Sequence, residues 1–228
     1  MTTMRLSFTL ESDATFGRGE GVPGLVDEEV EHDRYGQPFL RGRTLKGLLV
    51  EECANILHAL QLQRRTDYAL WEAAAAWLFG SPGSVSHKTA AMRVGNARLP
   101  ADLRHTVMHY SRQTGNGTRP LTRLDVLESL TAIRRQTAMD ETTGRPEEGS
   151  LRGMRVILRR TPFEARLQFS RPPIPEALPL LSACVLAFRR AGTGRNRGRG
   201  HLSASLLDAD GNDVTATYFE QFKTEVNA

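Results

Sequence analysis

Residues 3–11 read TMRLSFTLE, and the alternation in that run restricts the fold more than any other feature. Met4, Leu6, Phe8 and Leu10 share one side of an extended chain, so the run predicts a strand with one buried face. PFEARLQFS, at 162–170, alternates in the same way. Between them Leu45, Leu48, Leu49, Cys53, Ile56, Leu57 and Leu60 recur at helical spacing. Mixed in this order, the two periods predict an α+β fold, with helices on one face of a sheet. A chain of 228 residues has room for one sizeable core, so residues 1–228 are read as a single domain. No repeat of solenoid period is present.

The remaining segments fall between these anchors. FGRGEGVPG, at 16–24, reads as loop, and DEEVEHDRYGQPFLRG, at 27–42, as a short strand or hairpin turning at Tyr35–Pro38. Thr44, with Gly47 and Glu51 behind it, predicts an imperfectly capped helix start. DYALWEAAAAWLFG predicts a second helix, stopped at Gly80-Ser81-Pro82-Gly83. MRVGNARLP reads as one strand followed by a turn. Residues 101–150 are poor in large apolar groups until a hairpin, with arms LTAIRRQTAM and SLRGMRVIL and tip DETTGRPEEG. Pro172, Pro173, Pro175 and Pro179 lead into the helix LPLLSACVLAFRRA, which breaks at Gly192. A basic glycine loop then runs into a last strand, SASLLDA.

Composition excludes several function classes. No apolar run approaches the roughly 18 residues of a membrane span, so no membrane partner is expected. MTTMRLSFTLESD lacks the basic-then-apolar order of a secretory signal. Cys53 and Cys184 lie in apolar runs without metal-site spacing, which predicts buried free thiols and a cytoplasmic location. Net charge is +4 with a pI near 9.4, and the charge is uneven. An acidic run comes early, and arginine gathers in TAIRRQ, RGMRVILRR and FRRAGTGRNRGRGH. Lysine occurs only at Lys46, Lys88 and Lys223. The planar guanidinium fork matches phosphate and stacks on bases, so the bias points to nucleic acid.

Four segments carry the candidate chemistry. In Pro38–Gly47 a basic loop runs into a helix N-terminus, where amides point outward and the helix dipole favours anions. Arg41, Arg43, Thr44 and Lys46 add donors there; a capped helix with surface cations is the plain alternative. In Gly192–Gly200 glycines permit close backbone approach, and Arg195, Asn196, Arg197 and Arg199 suit phosphate. The loop lies between a helix and a strand, not in a disordered tail. In Asp27–Asp33 clustered carboxylates beside His32 could hold metal or move protons, but a solvated acidic loop is the favoured reading of the residues alone. In the hairpin, Ile133, Arg134, Arg135 and Arg152 give an extended arm able to wedge between bases and grip a single strand.

Taken in order, these segments resemble the RAMP superfamily. P-F-L-R-G-R-T-L-K-G resembles the family segment P-x-I-P-G-S-S-L-K-G, and Trp77-Leu78-Phe79-Gly80 its short LFG element. T-A-I-R-R-Q-T, followed by Gly144 and Gly149-Ser150-Leu151-Arg152, resembles the family's thumb hairpin. The Gly192–Gly200 run resembles its C-terminal glycine-rich loop. The resemblance implies a modified ferredoxin-like (RRM-like) antiparallel sheet with a thumb insertion at about 125–155. It implies a backbone subunit of a type III CRISPR effector, stacked with other RAMP subunits along a CRISPR RNA, beside a large polymerase-like subunit. Some such subunits cut target RNA next to each thumb through a loop aspartate. That role falls on Asp27, with a divalent metal, magnesium by expectation, and attack by the neighbouring 2′-hydroxyl. Whether Asp27 holds the metal or takes the hydroxyl proton is left open by the residues.

The chain departs from the family pattern at three places, one being Glu28, Glu29 and Glu31 around Asp27, extra negative charge that could recruit metal or repel RNA phosphate. Arg41-Gly42-Arg43-Thr44 stands where the family has small residues, and Arg134 where the thumb has an aspartate. Two other roles fit the same scaffold: a structural subunit that does not cut, and, ranked lower, a guide-processing ribonuclease. The latter would need a histidine or tyrosine near the N-terminus, and His32 is the only early histidine. An unrelated RRM-like module ranks last, because the aromatic RNA-binding pattern is missing.

Overall fold

Strand β1, Thr3–Leu10, lies inside the sheet and is paired antiparallel on both edges. In chain order the other elements are β2 (Phe39–Leu40), α1 (Gly42–Leu62), α2 (Tyr68–Phe79), β3 (Met92–Val94), β4 (Ala97–Arg98), α3 (Ala101–Arg112) and α4 (Arg123–Leu130). Then come β5 (Thr131–Gln136), β6 (Arg152–Ile157), β7 (Pro162–Phe169), α5 (Ala177–Ala187), β8 (Leu202–Leu207) and α6 (Thr215–Asn227). The computed structural model describes residues 2–64, 67–80, 89–113, 119–140 and 142–227. Ser81, Pro82 and Gly83, proposed above as a helix stop, and Glu141 of the hairpin tip lie outside them.

The main sheet runs β2-β4-β7-β1-β8, with β3 also on β7, and every pairing is antiparallel. The period-two pattern sets the register: Leu6 pairs with Ala165 and Leu206, so apolar side chains from three strands share one face. Helices α1, α2, α5 and α6 pack on that face. Its centre is a cluster of rings, with Phe8 stacked on Phe163 at 5.3 Å and edge-on to Phe16 and Phe188. Each ring is almost fully buried, worth roughly 1.5–3 kcal/mol apiece against exposure. The other face carries Arg5, Ser7, Glu164 and Arg166 and is open.

Three local expectations need correction. Helix α1 starts at Gly42, not Thr44, and its Arg41 N-cap position makes no side-chain cap. The cap comes from outside: the Gly42 amide donates to Asn96 Oδ1 at 2.8 Å. Asn96 is free to do this because the strand read as continuous over 92–100 breaks at Gly95-Asn96. Gly42 is needed there, since an added Cβ would lie 2.4 Å from the Val94 carbonyl oxygen. The polar stretch after residue 100 also contains α3 and α4. Helix α4 opens on a reciprocal capping box between Thr122 and Asp125.

The hairpin follows the predicted arms. β5 and β6 pair from Thr131–Ile157 to Gln136–Arg152 and form a separate two-stranded sheet. Cys53 and Cys184 are buried free thiols, as expected. Among the described residues no helix is long and apolar enough to cross a membrane.

Candidate nucleic-acid interface

The acidic loop is only partly the solvated segment that its residues suggested: Asp27 and Glu28 are exposed, Glu31 and Asp33 half-buried, and Glu29 buried. Its carboxylates are each committed to a different partner. Asp27 Oδ2 accepts from the Gly153 amide at 2.6 Å, while the Asp27 amide donates to the Gly153 carbonyl at 2.7 Å. Glu28 Oε2 accepts from Thr193 Oγ1 at 2.9 Å. Glu29 is buried against Arg155. Glu31 accepts from Arg41 Nε at 2.9 Å, and Asp33 Oδ1 accepts from the amides of Tyr35 and Gln37. The loop therefore staples hairpin, glycine loop and α1 entry to one another. Burial demands the partner only at Glu29; the others satisfy amides, hydroxyls and guanidinium groups of the segments the loop is laid against.

The glycine loop is held by conformations that favour glycine. Gly192, Gly194, Gly198 and Gly200 all have positive φ. At Gly200 the space is also closed, because an added Cβ would lie 1.9 Å from the Ala191 carbonyl oxygen. The Thr193 amide donates to the Thr15 carbonyl at 2.9 Å, which pins the loop beside the acidic segment. From this frame Arg195 reaches Glu51 at 3.2 Å, and Arg199 contacts the Met154 sulfur. Asn196 and Arg197 are exposed and have no side-chain partner among the described residues.

Three hollows with shared walls join these pieces. One, of about 480 Å³, lies between the glycine loop and the hairpin root, lined by Gly194, Arg195, Asn196, Arg197, Met154 and Gln136 among others. A second, of about 220 Å³, shares Thr193 and Arg195 with it and reaches Arg41 and Thr44 at the start of α1. A third, of about 800 Å³, shares Gln136 and Arg199 and continues past Arg134, Arg135, Arg159 and Arg160. Asp27 faces a fourth hollow, of about 350 Å³, with Arg135, Leu151 and Gly153. The result is a furrow in which eight arginines outnumber the carboxylates of Glu11, Asp13, Glu28 and Glu31, an excess of positive charge suited to a phosphodiester chain.

The furrow gathers most of the predicted residues but not all. Arg41, Thr44, Arg134, Arg135, Arg195, Asn196, Arg197 and Arg199 line it. Arg41 is already paired with Glu31, and Arg134 with Asp13 at 2.9 Å. Arg43, Lys46, Ile133 and Arg152 line none of these hollows. Partial burial lowers the Lys46 ammonium below its usual range. Gln136, Met154, Thr193, Arg159 and Arg160 were not singled out beforehand. Only Arg159-Arg160, an exposed pair just after the buried end of β6, carried a signal in the sequence.

The sequence model of the RAMP superfamily matches residues 7–203, from β1 into β8. The chain belongs to the RAMP superfamily. A search of the curated proteins finds no match to this RAMP chain. Among solved structures, one similar chain comes from a cryo-EM structure of the Type III-B Cmr-beta bound to cognate target RNA. It superimposes with a TM-score of 0.60 at 11% identity, over 90% of this RAMP chain and 97% of that one. A second comes from the apo state of Type III-B Cmr-beta, with a TM-score of 0.61 at 12% identity, over 91% and 98%. At these identities the likeness establishes the fold, an α+β RAMP domain with an antiparallel sheet, over nearly the whole of both chains.

Proposed function

We propose that this chain is an RNA-binding backbone subunit of a type III CRISPR interference complex. In this reading it holds CRISPR RNA in the furrow and presents target RNA to the hairpin. Its partners are other RAMP subunits and a large polymerase-like subunit. The observation that carries the reading is the shared walls: glycine loop, hairpin root and α1 entry converge on one arginine-lined path. The target-bound and apo complexes that contain chains of this fold support it.

Cleavage of target RNA through Asp27 is part of the proposal. Asp27 is exposed at the hairpin root, with Oδ2 fixed by the Gly153 amide. The other oxygen, Oδ1, is left for one of two roles, to take a proton from an attacking 2′-hydroxyl or to hold a metal ion, and Arg135 across the same hollow suits the scissile phosphate. Among the described residues no three His, Cys, Asp or Glu side chains gather to hold a metal. Asp27 is the one carboxylate among the described residues lining this hollow, so it would hold a divalent ion such as magnesium, which would need further oxygen ligands from outside the protein. Such an ion would neutralise charge on the phosphate.

The reciprocal Asp27–Gly153 hydrogen bonds favour a second reading, in which Asp27 only fastens the loop to the hairpin. Asp27→Asn separates the two, because the amide oxygen can still accept from Gly153 while its basicity is lost. In the reconstituted complex, Asp27→Asn with normal guide binding and cleavage reduced roughly 10²–10⁴-fold supports catalysis. Cleavage at the wild-type rate would leave a non-cutting structural subunit.

A further inference from the structure

Arg160 holds a backbone conformation that its residue type disfavours. It sits in the crossing from β6 to β7 with φ at +69°, in the left-handed region. Apart from it and Arg64, every described residue with positive φ is a glycine. The crossing is locked by main chain. The Arg160 amide donates to the Leu10 carbonyl at 2.6 Å, and the Leu10 amide to the Thr161 carbonyl at 3.1 Å. The Arg159 amide donates to Asp13 Oδ1 at 3.1 Å. A glycine at 160 would make the same backbone bonds without the steric cost that a Cβ brings there. A side chain kept at such a position points to a use for it.

Both side chains are free for that use. Arg159 and Arg160 are exposed, and neither guanidinium has a hydrogen-bond or ion-pair partner among the described residues. They line the hollow of about 800 Å³ together with Arg134, Arg135 and Arg199. Of its two carboxylates, Asp13 is committed to Arg134 and to the Arg159 amide. That leaves Glu11 alone against Arg135, Arg159 and Arg160, none of them in an ion pair among the described residues. Three converging guanidiniums with so little counter-charge suit phosphate.

Arg135 decides which strand this cluster meets. It lines both this hollow and the one that Asp27 faces. The glycine-loop hollow shares no residue with the Asp27 hollow. A strand that lies at Asp27 and follows shared walls therefore runs over Arg135 toward Arg159 and Arg160, and not directly into the glycine loop.

We propose that Arg159 and Arg160 form a second phosphate site at the outer rim of the furrow, and that this site holds the target strand while the glycine loop holds the guide. This deepens the backbone reading by dividing two RNA strands between two arginine groups, and it rests on that reading. It does not require that Asp27 cuts.

The test uses the full chain and three variants: Arg160→Gly, Arg159→Ala with Arg160→Gly, and Arg159→Lys with Arg160→Lys. Each is titrated against salt on a one-footprint single-stranded guide RNA, and on the same guide paired with a complementary RNA strand. Each phosphate contact adds about 0.7–0.9 to the slope of log affinity against log salt. Wild type is expected to show a steeper slope on the pair than on the guide alone. The alanine–glycine variant should lose about 1.4–1.8 of slope on the pair, with roughly tenfold weaker binding, and should match wild type on the guide. The lysine variant keeps both charges and should keep the slope. Arg160→Gly alone should lose about 0.7–0.9 of slope on the pair, with a melting temperature no lower than that of wild type, which separates a lost phosphate contact from a damaged fold. An unchanged slope on the pair in the alanine–glycine variant overturns the proposal. An equal loss on the guide alone overturns it too, by placing the crossing on the guide strand, and leaves the backbone reading standing. A lower melting temperature in Arg160→Gly overturns it by making the side chain structural. If wild type fails to bind the guide, the backbone reading falls and takes this assignment with it.

Discussion

Glu29 and Arg155 form an ion pair inside the root of the hairpin, with Oε1 and Nε 2.9 Å apart and side chains 3% and 6% exposed. The pair is well satisfied: Glu29 Oε1 also accepts from the Val30 amide, and Arg155 Nη1 donates to Thr131 Oγ1. Removing one partner strands a buried charge, so Glu29→Ala is expected to cost about 3–5 kcal/mol. Glu29→Leu combined with Arg155→Met should lose much less, because both charges go together. Urea unfolding of the single and double variants checks this, and equal losses would contradict it.

Gly200 sets the path of the arginine loop. Gly200→Ala places a Cβ against the Ala191 carbonyl at a φ of +68°. The loop must shift or unfold locally, at a cost of order 1–3 kcal/mol. A lower melting temperature together with weaker RNA binding is expected. Gly194→Ala, with only the Arg199 side chain nearby, should be milder in both measurements.

The hairpin tip should respond to acid. Backbone and side-chain hydrogen bonds from Thr143, then the Thr142 amide, hold the Asp140 carboxyl below its ordinary value. A depressed folded value means that the ionised form stabilises the turn. That contribution is present above the ordinary aspartate pKa, about 3.9, and is lost as pH falls through the lower folded value. Amide exchange at Thr142 and Thr143 should accelerate in that window and not at neutral pH. Asp140→Asn should remove the pH dependence.

Much of this was legible in the sequence because it rests on local periodicity. The alternation at Met4–Leu10 and Phe163–Phe169 fixed which face is buried, and the arms around Ile133 and Met154 paired as their spacing implied. The furrow was legible in outline, through the arginines and glycines of 192–200. What the sequence hid depends on contacts distant along the chain. Asn96 caps α1 across 54 positions, and Glu29 is buried only because Arg155 meets it across 126. Arg43 and Lys46 share a motif with Thr44, but adjacent positions on a helix point in different directions, so only Thr44 lines the furrow. The Asp27 assignment came from family resemblance, and its bond to Gly153 gives it a structural duty that no local pattern announced.

The central claim is that the furrow grips the phosphate backbone of a single RNA strand, and its salt dependence is the direct test. Binding to a one-footprint single strand is titrated against salt for wild type and for Arg195→Ala with Arg197→Ala. Each lost phosphate contact should reduce the slope of log affinity against log salt by about 0.7, so the double variant should lose about 1.4 of slope with weaker binding. Weaker binding with an unchanged slope, or no change in either, would contradict the account.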